Sequence, residues 1–328
     1  MYTIAVDCMG SDNGPKVCVE AIKIFLNKHD DVKIVAFGRK EDLKDLENVN
    51  NVEVVHCEDI MEMTAGSIQA MRARKSSMYQ AIVSTKENGY DGVISAGSTG
   101  AFLTLASVKL KTIDGVDRAA LVTAVPSYDG KQVTLLDVGA NVETTGEQLV
   151  QFAKMGRLYS QKVLGIKEPR ICLLSNGAED EKGSHDVKEA NKLLREMNFP
   201  GFVGNVEGRD VPKGVCDVLV TGGYAGNIFL KTYEGVAKMM SKMIKDAFMT
   251  NTSSKIGYLF AKKGFNELKE KLNYEKVGGA MLLGVNGVAV KAHGSSSAYS
   301  FSQAMGVCYN MINEKVLDLI KEGVKENA

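Results

Sequence analysis

The feature that most constrains this chain is a rhythm in its sequence. Short β-branched runs alternate with longer stretches whose apolar residues recur every three and four positions. Nine runs read as strands: Thr3–Asp7, Val32–Phe37, Val52–His56, Gly92–Ser95, Ala119–Val125, Thr134–Val138, Arg170–Ser175, Gly201–Asn205 and Val215–Thr221. Between them, Val17–Asn27, Gly146–Leu164 and Asp186–Met197 carry helical spacing. That alternation builds βαβ units, which give a mostly parallel sheet with helices on both faces. The expected fold is therefore α/β, in three layers. Ligands of such sheets bind beyond the carboxyl ends of the strands, so chemistry is to be sought just after each strand.

The last third breaks the rhythm. Glu234–Phe248 reads as a Met-rich helix, Lys255–Lys276 as a Lys-rich stretch, and Gly278–His293 as Gly-rich and hydrophobic. A final helix is expected from about Ala298 to Lys325. No Pro- or Ser-rich linker divides these parts, so one catalytic domain over 1–328 is expected, with a helical, basic-amphipathic excursion around 234–276.

Composition narrows the function classes. With 45% hydrophobic residues and 40 basic against 40 acidic side chains, the chain lacks the low hydropathy and high charge of a disordered protein. The same balance argues against nucleic acid as a partner. Six cysteines are scattered among apolar neighbours without a CxxC pair, as expected of buried thiols in a reducing compartment. The four histidines show no HxxxH or HExxH spacing, so no metal site is expected. Met1–Asp7 opens as a strand without a basic leader, and the longest uncharged stretches are too rich in Gly, Ser, Thr and Asn to span a bilayer. A cytoplasmic protein is expected.

Six segments carry small polar residues where strands end. Asp7–Pro15 follows the first strand, with Asp7 and Asp12 five residues apart. Ser95-Ala-Gly-Ser-Thr-Gly100 places Ser95, Gly97, Ser98 and Thr99 at a helix start, an arrangement that favours an anion such as phosphate. Asp137-Val-Gly-Ala-Asn141 and Asn205-Val-Glu-Gly-Arg-Asp210 follow two further strands. In the second of these, Arg209 either clamps an oxyanion or forms a solvated ion pair with Glu207 or Asp210. Thr221–Asn227 is Gly-rich and is followed by Lys231, without P-loop spacing. Val290-Lys-Ala-His-Gly-Ser-Ser-Ser297 sets Lys291, His293 and three hydroxyls where a hydrophobic strand meets a helix start. GxGxxG is absent from the strand ends, which disfavours a dinucleotide-dependent dehydrogenase.

Taken together, Ile4–Asp12, Ser95–Ala101, Leu135–Asn141, Gly204–Asp210 and Val290–Ser296 resemble, in order and across essentially the whole chain, the bacterial phosphate acyltransferase family of phospholipid synthesis, the PlsX type. The chain departs from that pattern at Ser11, Ser98 and Ala178. The resemblance implies a fold like that of phosphotransacetylase and isocitrate dehydrogenase, usually as a homodimer. It implies transfer of a fatty acyl group from acyl carrier protein to inorganic phosphate, without a cofactor, and consumption of the acyl phosphate by a membrane glycerol-3-phosphate acyltransferase. On that basis Ser95, Gly97, Ser98, Thr99 and Asn141 are expected to hold phosphate. Arg209, Lys231, Lys291 and His293 are expected to neutralise charge or handle protons, with Asp210 beside them. Asp7, Asp12, Asp137, Asn205 and Asn227 are expected to orient these groups. The proton acceptor is left open between His293, Lys291 and phosphate itself.

In Lys255–Lys276, six lysines face three acids, with Tyr258, Leu259 and Phe260 beside Lys262 and Lys263. A basic amphipathic stretch of this kind suits either an anionic bilayer or an acidic carrier protein, or is a plain solvated hairpin. The resemblance favours peripheral membrane association. The competing functions are a coenzyme A-dependent phosphate acetyl- or butyryltransferase and a non-catalytic membrane-associated scaffold.

Overall fold

The computed structural model describes residues 1–271 and 278–325; Leu272, Glu275 and Lys276 of the Lys-rich stretch lie outside them. The first half contains β1 (Tyr2–Asp7), α1 (Pro15–Leu26), β2 (Val32–Gly38), β3 (Val52–His56), α2 (Ser67–Arg72) and α3 (Ser77–Glu87). It continues with β4 (Gly92–Ser95), α4 (Thr99–Leu110), β5 (Ala120–Pro126), β6 (Gln132–Leu136) and α5 (Gly146–Lys162). Next come β7 (Ile171–Ser175), α6 (His185–Glu196), β8 (Phe202–Glu207), β9 (Val218–Val220), α7 (Gly223–Phe248) and α8 (Thr252–Lys271). The chain ends in β10 (Ala280–Leu283), β11 (Val288–Lys291), α9 (Ala298–Asn313) and α10 (Val316–Lys325).

The strands form one sheet in the order β3-β2-β1-β4-β11-β10-β5-β6-β9-β7-β8. Seven neighbouring pairs are parallel, and the antiparallel ones are the three that involve β5 or β10. Central strands are buried on both faces, as the unbroken apolar runs of β4 and β9 require. One face packs against α1, α5 and α9 through Ile22, Phe152 and Phe301; the other packs against α2, α3, α4 and the start of α7 through Ala70, Met78, Phe102 and Leu230. Each fully buried Phe contributes on the order of 2 kcal/mol of burial energy.

Helix starts follow local chemistry. Pro15 begins α1, Thr145 and Gln148 form a capping box at α5, and Ser297 caps α9. Three features differ from expectation. The Gly-rich segment 278–293 supplies a hairpin, β10–β11, that sits in the middle of the sheet. The final helix is two, because Lys315 takes a left-handed conformation (φ 51°) that ends α9 before α10 begins. The Met-rich helix is also longer than it reads, starting at Gly223.

Candidate active site

The register of three parallel strands assembles the site. Asp7 at the end of β1 lies opposite Ser95 at the end of β4, and Ser95 lies opposite Lys291 at the end of β11. Residues distant in sequence therefore share one row and one face of the sheet. Asp7 is buried and accepts hydrogen bonds from Ser77 Oγ (2.6 Å), Ser95 Oγ (2.6 Å) and the Met9 N–H (3.2 Å). Burial raises the Asp7 carboxyl above its ordinary value, opposed by the two hydroxyls, the Met9 N–H and the Lys291 ammonium. Lys291 is 6% exposed, and its ammonium donates to the Ala292 carbonyl. Burial pulls it down to about 8, against the attraction of Asp7 and Asp12 and with the help of Lys231.

Two loops close over this row. The Asp12 N–H and Ser11 Oγ donate to the Gly294 carbonyl, and Asn13 Nδ2 donates to the carbonyls of Ser295 and Ser296. The loop after β1 is thus tied to the loop after β11. Gly10 meets Gly97 so closely that a Cβ on Gly10 would stand 2.6 Å from the Gly97 Cα. Two glycines here let two strand-end loops touch backbone to backbone.

Below these loops opens a cleft of about 370 Å³. Its polar wall is Asp12, Thr99, Lys231, Lys291, His293 and Ser295; its apolar wall is Met63, Leu121, Val138, Leu230 and Ala280. One face of α7 supplies Asn227, Leu230, Lys231 and Glu234, at the i, i+3, i+4 and i+7 spacing of a single helical stripe. Lys231 Nζ lies 3.0 Å from Glu234 Oε2. His293 lies exposed at the wall of the cleft; its Nδ1 accepts from the Ser295 N–H (3.3 Å) and lies 2.9 Å from Ser295 Oγ. An accepting Nδ1 leaves the proton of the neutral ring on Nε2. Desolvation against the cleft wall, together with Lys231, Lys291 and Lys238, pushes His293 below its ordinary value, opposed by Glu234. The site therefore offers cationic and neutral donors beside an apolar wall.

The other expected site residues divide sharply. Ser95 spends its hydroxyl on Asp7 and accepts from the Gly97 N–H at 3.0 Å. Ser98 caps α4 by accepting from the Ala101 N–H and donates to the Ala65 carbonyl at 3.3 Å. Asn141 donates to Asp137 Oδ2 (2.9 Å) and to the Ala119 carbonyl (2.8 Å). Asp137 also accepts backbone N–H groups from Leu121, Gly139, Ala140 and Asn141. This pair therefore fastens its own loop, and burial raises the Asp137 carboxyl against those bonds. Asn205 pins the segment before α6 by donating to the carbonyls of Glu179 and Lys182.

Arg209 takes the second of its two expected arrangements. It is 78% exposed and pairs with Glu207 at 2.5 Å and Asp210 at 3.9 Å, while Asp210 pairs with Lys213 at 2.6 Å. Neither Arg209 nor Asp210 lines the cleft. Tyr258, Leu259, Phe260, Lys262 and Lys263 lie on α8, away from the cleft walls, with Leu259 and Phe260 exposed at 69% and 85%. Sequence reading passed over Ser77, whose only local sign is a Ser-Ser pair before a helix, and the apolar wall, whose residues read as core.

A family described as "Fatty acid synthesis protein" matches residues 2–319. A phosphate acyltransferase of Staphylococcus saprophyticus is 39% identical over 325 residues, covering 99% of this chain and 98% of that protein. The chain belongs to the phosphate acyltransferase family. It is an acyltransferase, and phosphate is the acceptor its family name specifies. Among solved structures, a phosphotransacetylase from Streptococcus pyogenes superposes with a TM-score of 0.61 at 14% identity, covering 95% of this chain and 94% of that one. A branched-chain phosphotransacylase from Enterococcus faecalis gives 0.58 at 17%, covering 95% and 100%. At those identities the two structures share the α/β fold of this family member.

Proposed function

We propose that this phosphate acyltransferase takes a fatty acyl group from acyl carrier protein and delivers it to inorganic phosphate, yielding the acyl phosphate used in phospholipid synthesis. The observation that carries this reading is the union, in one cleft, of Lys231, Lys291 and His293 with the wall of Leu121, Val138 and Leu230. A phosphate dianion is drawn to the first group and an acyl chain to the second. A phosphate oxygen attacks the thioester carbon, and the carbonyl electrons move onto oxygen. The Lys291 ammonium and the His293 Nε2–H are the donors that stabilise that oxyanion. Collapse expels the thiolate, whose thiol pKa is ~8.5. A lysine held near 8 is matched to return a proton to that sulfur and then to recover one from solvent. Asp7, held by Ser77 and Ser95, positions Lys291 at the end of β11.

Phosphate binding is assigned to the Thr99 end of the cleft, with Gly97 keeping the loop close. Ser95, Ser98, Asn141, Asp12, Asp137, Asn205 and Asn227 act as framing groups. Arg209 and Asp210, engaged with each other's neighbours on the surface, are left without a catalytic part. The reading includes one catalytic domain, a homodimer, a cytoplasmic location and peripheral attachment to membrane, where a glycerol-3-phosphate acyltransferase consumes the product. Exposed Met239, Met240 and Met243 on α7 support self-association, and Leu259 and Phe260 beside Lys262 and Lys263 support the membrane contact. No helix among the described residues is long and apolar enough to cross a membrane.

The test is formation of acyl phosphate from acylated carrier protein with and without phosphate, using wild type, Lys291→Ala and His293→Ala. Phosphate-dependent product in wild type, with a loss of a hundredfold or more in the Lys291 variant, is expected from removal of an oxyanion donor. Undiminished turnover in both variants removes them from the chemistry. Vesicle co-sedimentation of Leu259→Glu/Phe260→Glu, expected to fall, tests the membrane contact.

A further inference from the structure

After walling the cleft, α7 leaves the body of the protein. Gly223, Gly226 and Leu230 are its buried residues, and from Lys231 onward each position is partly or fully exposed. The stripe that faces the cleft continues outward along the same side of the helix. Lys238, Lys242 and Lys245 stand seven, eleven and fourteen residues beyond Lys231, which returns them to its meridian. All three are exposed. At 1.5 Å per residue, Lys231 to Lys245 spans about 21 Å. Lys238 also helps to hold the His293 imidazole below its ordinary value. The acids of α7 are Glu234, engaged by Lys231, and Asp246; α8 returns alongside with Lys255, Lys262 and Lys263. The exposed apolar positions Val236, Met240 and Met243 turn away from this row, with Met239 on the flank between them, so the lysines are a separate face.

In a chain of zero net charge, this is a local line of positive charge that starts at the reactive end of the cleft. Its length suits an acidic helix rather than a single phosphate, and its continuity with the cleft suits a partner that must reach inside. We propose that Lys238, Lys242 and Lys245 form a docking track for the acidic carrier protein that presents the acyl thioester, laying it along α7 so that its thioester arm enters beside Lys231. This rests on the carrier-protein donor of the preceding section and adds the surface that receives it.

The test compares wild type with Lys242→Glu/Lys245→Glu on two donors bearing the same acyl group: acyl carrier protein and a neutral acyl-pantetheine thioester. Two charge reversals at a solvated rim are expected to raise KM for the carrier about tenfold, with kcat and the acyl-pantetheine reaction unchanged. The salt dependence of kcat/KM for the carrier is expected to flatten, and Lys242→Arg/Lys245→Arg to behave as wild type. An unchanged carrier KM overturns the track, as does an equal loss with both donors. Loss of binding to anionic phosphatidylglycerol vesicles with carrier KM intact gives the row to lipid and also overturns it. If wild type uses acyl-coenzyme A but is inert with acyl carrier protein, the donor assignment fails and the track with it. An active wild type with an unaffected variant defeats the track alone.

Discussion

Replacing Lys291 by Met is expected to make the protein more stable and inactive. The lysine is 6% exposed and its folded value is about 8, against 10.5 in the unfolded chain. Burial sets that difference; the attraction of Asp7 and Asp12 is already included in it and recovers only part of the loss. Holding the charged form at neutral pH therefore costs the fold about 3 kcal/mol. Below pH 8 the group is charged in both states and the penalty is full. Between pH 8 and 10.5 the unfolded chain holds the proton and the folded chain releases it, so wild-type stability rises with pH. Above 10.5 both states are neutral and the penalty is gone. Met fills similar space without a charge, so urea unfolding in phosphate-free buffer is expected to show a gain of about 3 kcal/mol at pH 7, shrinking to about 1 kcal/mol at pH 10. Acyl phosphate formation by the same preparation is expected to collapse. A variant less stable than wild type at pH 7, or an equal gain at both pH values, refutes the reasoning.

Three other outcomes follow from named contacts. Gly10→Ala places a Cβ 2.6 Å from the Gly97 Cα, a backbone atom that cannot swing away, so thermal unfolding is expected to report a loss of about 2 kcal/mol together with reduced turnover. Asp137→Asn turns an amide N–H₂ toward donors that now meet a carboxylate, and denaturant titration is expected to show a loss on the order of 2 kcal/mol. Arg209→Ala removes an exposed ion pair, so kcat/KM is expected to stay within about twofold of wild type and stability within about 1 kcal/mol.

The sheet was legible because it is built from local signals. Each of the nine expected strands overlaps a strand of the structure, and periodicity placed α1, α5 and α6. The hairpin β10–β11 was not, since four-residue strands flanked by Gly278, Gly279 and Gly284 carry too little β-branched signal to outweigh the turns. The break at Lys315 escaped for a related reason: a left-handed Lys leaves no mark in composition. Within the site, Lys291, His293 and Thr99 stood out as polar residues at strand and helix ends. Their assembly did not, because the row Asp7–Ser95–Lys291 depends on strand pairing across nearly the whole chain. Ser95, Ser98 and Asn141 have the residue types of an anion cradle, yet Ser95 donates to Asp7, Ser98 to the Ala65 carbonyl and Asn141 to Asp137. Sequence shows which groups are available, and the packing decides which remain free.

The central claim is that phosphate itself attacks the thioester in this cleft. Rapid mixing of the enzyme with acylated carrier protein in phosphate-free buffer, followed by free thiol and by intact-protein mass, tests it directly. No thiol is expected until phosphate is added, after which thiol and acyl phosphate appear together. A burst of thiol equal to the enzyme present, with an acyl group on the protein before phosphate is supplied, would contradict the account.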